Sequence, residues 1–193
     1  MARTPSTMLP LGTPAPDFRL PDFDGRVHGL GDVADSPALL VAFFCSHCPF
    51  ARHLRDGFAA FTREYAPRGL AVVAINSNDI EAYPQDGPDA MRQEAADLGY
   101  VFPYLLDASQ AVAKAYRAAC TPDFFLFDAG RRLVYRGQFD DSRPGNGRPV
   151  TGADLRSAVE ATLSGGVPGP DQYPSLGCNI KWRRGAEPDY AGG

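Results

Sequence analysis

The sequence predicts an α/β fold in which a central mixed β-sheet is flanked by helices. Three observations carry this. Residues 38–44, Ala38 to Phe44, are apolar without a break, the pattern of a buried strand. Phe50, Leu54, Phe58, Phe61 and Tyr65 then recur at three- and four-residue spacing. Arg52, Arg55, Asp56 and Arg63 lie largely between them, so the segment has one apolar helical face. A second buried strand follows at residues 69–76, "GLAVVAIN", which completes a strand-helix-strand succession.

The remaining elements follow in chain order. Gly69, after Pro67, stops the first helix. "SNDIEAYPQDGP" reads as a loop, residues 89–98 as a short helix, "FPYLLD" at 102–107 as a third strand, and 109–119 as the next helix. "DFFLFD" and "RLVYRGQF" flank Ala129-Gly130-Arg131 and predict a hairpin, the glycine permitting the reversal. A last helix is expected over 152–163, with Thr151 as its cap and Asp154 in its first turn, where a carboxylate favours the N-terminus. Helix, hairpin and helix after strand-helix-strand place parallel and antiparallel strands in one sheet. Many of the 20 glycines and 18 prolines fall before residue 37 or after residue 143, so both ends should be mostly irregular. Tyr173, Leu176, Ile180 and Trp182 are spaced as anchors for the tail.

A chain of 193 residues suggests one domain over 1–193, with a core of about 12–164 and an extended C-terminal tail over 165–193. Hydrophobic content of 44% and charged content of 22% are ordinary for a globular protein. The formal charge of −4 without a basic block argues against nucleic acid as a partner. The longest apolar run is too short to span a bilayer, and the N-terminus lacks the apolar stretch of a secretory signal. Four cysteines, Cys45, Cys48, Cys120 and Cys178, are too sparse for a disulfide-stapled scaffold. Without an export signal the expected setting is the cytoplasm, where such cysteines are catalytic, redox-active or metal-binding.

The stretch "LLVAFFCSHCPF" runs from the first buried strand into two cysteines three residues apart. Pro49 is suited to the first position of a helix, which makes Cys48 its cap residue. There the sulfur meets free backbone N–H groups and the positive end of the helix dipole, and both favour thiolate over thiol. His47 lies between the two sulfurs in sequence and, protonated, would favour a thiolate further. Cys48 is therefore the expected attacking sulfur. Packing of the pair in the core and a zinc site using Cys45, Cys48 and His47 or His53 are the alternatives. Zinc prefers four ligands and no second cysteine pair lies nearby in sequence, so neither a metal nor a cofactor is expected.

These stretches resemble the thioredoxin superfamily, and within it the peroxiredoxin-like, AhpC/TSA-type proteins. "GTPAPDFRLPDFDGRVHGLGD", residues 12–32, is similar to their opening, and "LLVAFFCSHCPF" to their strand-loop-helix. The resemblance implies a thioredoxin-like fold with an N-terminal extension and a C-terminal tail. Counted from "CP", Cys48 matches the attacking cysteine of thioredoxins of the "FWATWCPPC" kind and the peroxidatic cysteine of peroxiredoxins. "CSHC" also looks like the "CPHC" of periplasmic disulfide oxidases, an alignment that would make Cys45 the attacker. "CTPDFFLFD", residues 120–128, is similar to the thioredoxin cis-proline loop. Thr121 and Pro122 would be its pair, with the Thr121 backbone free to meet an extended substrate. "LGCNIKWRRG", residues 176–185, looks like the peroxiredoxin tail that carries a resolving cysteine, here Cys178, and Trp182 matches its tryptophan.

The departures fall on the peroxide-binding residues. The position three before Cys48, a Thr or Ser in peroxiredoxins, is Cys45 here; their proline seven before it corresponds to Val41; and their arginine falls about at Pro122. Arg136 or Arg143 would have to supply the guanidinium. The expected function is thiol-disulfide exchange through Cys45 and Cys48. The alternatives are peroxide reduction, with Cys45 or Cys178 resolving Cys48, and a non-catalytic redox-sensing or binding module. Partners would be protein or small-molecule thiols, disulfides or peroxides, met by a monomer or homodimer. The loop with Asn76, Asn78 and Asp79, past the end of a strand, reads either as a functional edge or as a solvated turn.

Overall fold

The computed structural model describes residues 3–191. A five-stranded mixed sheet forms its centre. Strands β4 (Ala38–Phe43), β5 (Leu70–Asn76) and β6 (Tyr104–Leu106) run parallel, while β8 (Asp123–Phe127) is antiparallel to β4 and β9 (Leu133–Gly137) antiparallel to β8, in the sheet order β6-β5-β4-β8-β9. This is the α/β thioredoxin-like fold with a mixed sheet that the sequence predicts.

Alternation along the strands divides the core into two layers. Leu40, Ala42 and Phe44 pack with Leu54, Phe58 and Phe61 of α1 (Pro49–Tyr65), Met91 of α2 (Pro88–Leu98), and Leu155 and Val159 of α4 (Ala153–Leu163). On the other face Leu39, Val41 and Phe43 pack with Val112 and Tyr116, in and just after α3 (Ala111–Ala115), and with Phe18 and Leu20. Every residue of β4 is fully buried, so this strand is the rigid base from which the cysteine loop projects. Phe58 joins the aromatic cluster at its end, with ring centroids 5.4 Å from Phe44 and 5.5 Å from Phe124.

The two ends are more ordered than their glycine and proline content predicts. β2 (Arg19–Pro21) and β3 (Val27–Gly29) form a hairpin, and β1 (Arg3–Pro5), β10 (Leu176–Asn179) and β7 (Cys120–Thr121) form a second sheet in the order β1-β10-β7. Ile180 is buried and Trp182 packs against the core, as anchors should, but Tyr173 is 62% exposed and holds the tail only through its carbonyl, which accepts from Gln138 N. Three local expectations need correction. α3 is much shorter than 109–119, because Gln110 at its start and Arg117 beyond its end adopt left-handed backbone. The hairpin reverses through Arg131 at φ 56° rather than through Gly130, with Asp128 Oδ1 accepting from Arg132 N. Gly152, not Thr151, caps α4, since a Cβ there would lie 2.5 Å from the Phe139 ring; Asp140 accepts from both Thr151 N and Gly152 N.

Candidate active site

Cys48 is the cap residue of α1, at extended backbone angles, and Pro49 opens the helix. No acidic residue occupies the first turn, so the free N–H groups there are not screened by a carboxylate of their own helix. Cys45 lies two residues past β4 and Thr121 ends β7, next to a cis Thr121–Pro122 bond. The Cys48 sulfur lies 3.1 Å from the Thr121 carbonyl oxygen, and the Cys45 sulfur lies 3.2 Å from Thr121 Oγ1. Cys178 joins them from the tail, because β10 pairs antiparallel with β7 and sets Cys178 opposite Thr121. Two sulfurs of one loop and a third from the distant tail thus meet at one point. All three are buried.

The sulfurs differ sharply in acidity. Cys48 is held well below the ordinary thiol range, chiefly by the Cys178 thiol hydrogen-bonding to its sulfur and next by the Cys45 thiol; Ala51 N and the Thr121 side chain add to this against the opposing effect of burial. The helix terminus stressed by the sequence therefore contributes, but the two neighbouring thiols contribute more. Cys45 is pushed well above the ordinary range by its hydrogen bond to Cys48, by burial and by the negative charges of Asp86 and Cys48. Cys178 is pushed up by its hydrogen bond to Cys48 and by burial. Burial raises Cys120 too; its thiol points at the Pro122 carbonyl, 3.7 Å away.

His47 does not stand free between the sulfurs. Its Nδ1 makes a short hydrogen bond with Asp86 Oδ2, its backbone N donates to Asp86 Oδ1 at 3.1 Å, and its ring stacks on Tyr83 at 5.9 Å. Asp86 is fully buried and also accepts from Asn78 Nδ2 at 2.8 Å, while Asn76 Nδ2 donates to the Asp86 carbonyl. The loop that read equally well as solvated is thus an arm of this site. Asp86 and Tyr83 went unassigned in the sequence, which marked Asn78 only through the loop's position past the C-terminal end of β5. Ser46 donates to the buried Glu94 at 2.7 Å, another contact that sequence spacing does not reveal.

One ligand atom each from Cys45, His47 and Asp86 lies within 4.8 Å of the others, a set from which a metal could draw three ligands. The two arginines considered for peroxide binding are engaged elsewhere: Arg136 with the Leu9 carbonyl and Gln172, Arg143 with the Asp140 and Ser142 carbonyls and Gln138.

Comparison with known proteins shows the family. The AhpC/TSA family model matches residues 11–136, which take in the cysteine loop, the Asp86 arm and the cis-proline strand. The chain belongs to the AhpC/TSA family. Thiol-disulfide oxidoreductase ResA of Geobacillus thermodenitrificans is 26% identical over 130 residues, covering 67% of this chain and 70% of that protein. Two crystal structures match nearly the whole chain. A hypothetical protein from Sinorhizobium meliloti is 59% identical with a TM-score of 0.93, covering 94% of this chain and 100% of that one. An uncharacterized conserved protein from Geobacillus kaustophilus is 50% identical with a TM-score of 0.94, covering 96% and 99%. This AhpC/TSA-family chain is an enzyme of the thioredoxin oxidoreductase superfamily, a redox protein that works through cysteine. The cytoplasmic setting expected from the sequence is overturned by the same likenesses, since ResA and DsbE-like oxidoreductases are extracytoplasmic. A polar stretch in the first residues does not by itself set the compartment. Among the described residues no helix is long and apolar enough to cross a membrane.

Proposed function

We propose that the protein is a thiol-disulfide oxidoreductase in which Cys48 attacks and Cys45 resolves. The observation that carries this is geometric: Cys48 caps α1 and Cys45 lies on the same short loop, with the Cys48 sulfur 3.1 Å from the Thr121 carbonyl oxygen and the Cys45 sulfur 3.2 Å from Thr121 Oγ1. Burial and contact push Cys45 up while Cys48 is held down. Cys48 thiolate attacks a substrate disulfide, one substrate thiolate leaves and takes a proton, and a mixed disulfide remains. Cys45 then attacks the Cys48 sulfur, giving a Cys45–Cys48 disulfide and releasing the second substrate thiol. Thr121 and Pro122 shape the wall against which Cys48 sits. Two electrons pass from the dithiol to the substrate, and the reverse direction uses the same steps.

Peroxide reduction is the second reading, favoured by Cys178 beside Cys48: a sulfenic acid on Cys48 would have a second thiol at hand. The engagement of Arg136 and Arg143 elsewhere and the presence of Cys45 in place of a hydroxyl residue weigh against it. Tryptic mass mapping separates the two. Cys45 and Cys48 share the fragment ending at Arg52, whereas Cys178 lies in the one ending at Lys181. The exchange reading expects the internal disulfide after reaction with either a disulfide or peroxide. A Cys48–Cys178 cross-link formed rapidly with peroxide would reverse the ranking.

A further inference from the structure

The sulfurs of this site are closed off. Cys48, Cys45 and Cys178 are 0%, 1% and 2% exposed, so a disulfide reaches Cys48 only where the cover gives way. Part of that cover is the chain's own strand β10. An extended peptide is held at such a site by adding a strand to a free sheet edge, which supplies main-chain hydrogen bonds. The edge beside Cys48 is that of β7, whose Thr121 carbonyl oxygen lies 3.1 Å from the Cys48 sulfur. β10 already pairs with it, Cys178 opposite Thr121 and Asn179 opposite Cys120. The Thr121 backbone, expected from the resemblance to be free for an extended substrate, is therefore occupied. We infer that β10 is a built-in occupant of the peptide-pairing edge, and that the substrates of Cys48 are low-molecular-weight disulfides rather than extended polypeptide ones. The inference rests on the exchange reading and adds the substrate class to it.

The strand fits closely. A Cβ on Gly177 would stand 2.0 Å from the Thr121 carbonyl oxygen, so only a residue without a side chain lets β10 lie this near the cis-proline loop. β10 is also the middle strand of its sheet: Arg3, Thr4 and Pro5 of β1 pair on its other side, opposite Cys178, Gly177 and Leu176. Both ends are tied. Ser175 N donates to Ser6 Oγ at 2.8 Å just before the strand. Beyond it, Ile180 is buried and its N donates to the Ala119 carbonyl at 3.0 Å. Lys181 N donates to Asn78 Oδ1, and the Lys181 carbonyl accepts from Asp79 N and Gln110 Nε2. Trp182 packs against the core, and Arg183 N donates to Gln110 Oε1 at 2.9 Å. A strand paired on both sides and anchored at both ends opens rarely, so a peptide seldom meets the edge of β7 unpaired.

Approach is left across the rim of the cysteine loop itself, where Pro49 is exposed and Ser46, His47 and Phe50 are half-buried. A small disulfide needs only this rim to give, whereas a polypeptide needs β10 to leave. The exchange then balances as before. The Cys48 sulfur bonds to one sulfur of the small disulfide, whose S–S bond breaks, and the first thiolate leaves and takes a proton from solvent. Cys45 bonds to the Cys48 sulfur, and the second thiolate leaves with the proton that Cys45 gives up.

The test uses the reduced full chain and two mixed disulfides of thionitrobenzoate, one with cysteine and one with a short extended peptide centred on cysteine. Release of coloured thionitrobenzoate reports the first attack, and each rate is divided by that of free glutathione with the same probe to remove intrinsic differences. The cysteine probe is expected to react faster than the peptide probe by about tenfold or more, since the peptide must wait for β10 to open. Ile180→Ala, which removes an anchor of β10 away from the sulfurs, and Gly177→Ala should each bring the ratio toward one by speeding the peptide. Hydrogen exchange gives a second readout: the amides of β10 should stay protected while the parent reacts with the cysteine probe. Equal normalised rates in the parent, well above that of glutathione, would overturn the inference. So would a selective parent whose ratio is unchanged in a variant that folds by circular dichroism, or loss of β10 protection with the cysteine probe. Where neither variant folds, the parent's two rates and its exchange decide. Reaction of both probes no faster than with glutathione would instead overturn the exchange reading.

Discussion

Replacing Cys178 by alanine should raise the acidity midpoint of Cys48 and at the same time make its thiolate a faster nucleophile. The Cys178 thiol is the largest influence holding Cys48 down, and alanine removes the donor without supplying another. A hydrogen bond to a charged group contributes about 1.5–3 kcal/mol, which moves the midpoint upward by about one to two pH units. The Cys45 thiol, Ala51 N and the Thr121 side chain remain, so Cys48 should still ionise below an ordinary thiol. Thiolate nucleophilicity rises with basicity at a Brønsted slope of about 0.4–0.5, so the plateau rate should increase roughly threefold to tenfold. Alkylation by iodoacetamide across pH, with mass identification of the modified cysteine, reads both quantities from one curve. A midpoint that stays in place would refute the assignment of Cys178 as the dominant donor. Ionisation of Cys45 before Cys48 in single-cysteine variants would refute the helix-cap argument as well. The same depression has a consequence for stability. Its contribution is fully present above the unfolded thiol value of about 8.5 and is lost as pH falls through the folded value of Cys48, so C178A should flatten that part of the stability–pH curve.

Three further outcomes follow from particular contacts. Gly177→Ala would place a Cβ 2.0 Å from the Thr121 carbonyl oxygen, so β10 must shift; unfolding midpoints should show a loss of about 1–3 kcal/mol and Cys48 should alkylate faster as its cover loosens. Phe58→Ala empties the centre of the aromatic cluster and should cost about 3–5 kcal/mol in denaturant unfolding, with the acidity of Cys48 unchanged. Metal analysis of protein purified under reducing conditions should find zinc well below one equivalent; a stoichiometric ion resisting mild chelation would show that Cys45, His47 and Asp86 serve as ligands instead.

The central sheet was legible because its inner strands β4, β5 and β8 are almost wholly buried and bounded by clear breaks, so an unbroken apolar run such as Ala38–Phe44 left little choice of element. The first helix was legible for the complementary reason: its apolar residues recur on one face and Pro49 fixes its start. The second sheet was not legible. β1 and β7 are three and two residues long, and β10 is held by partners more than fifty residues away, so no periodicity within the tail announces it. For the same reason the sequence offered Cys178 only through likeness to a known tail, whereas the pairing with Thr121 sets it at Cys48. Asp86 was hidden more thoroughly. It sits in a turn whose residues, Tyr83-Pro84-Gln85-Asp86-Gly87, are those of any solvated loop, and its burial depends on Asn76 and Asn78 folding back from β5. Even the cysteine acidity was only half legible: the cap position follows from Pro49, but the stronger influences come from thiols brought in by tertiary structure.

On the exchange reading, the order of the two attacks is built into the charge of Cys48. While Cys48 is a thiolate, it holds the Cys45 proton in place twice over, as the acceptor of its hydrogen bond and as a neighbouring negative charge. Once the Cys48 sulfur enters a mixed disulfide, its charge is gone and so is most of its power as an acceptor. Two of the four influences that keep Cys45 protonated then vanish together, leaving burial and Asp86. Cys45 therefore becomes easier to deprotonate only after a substrate is attached. An early Cys45 thiolate beside a Cys48 thiolate would place two negative charges on one buried loop, and the arrangement avoids that state at each step.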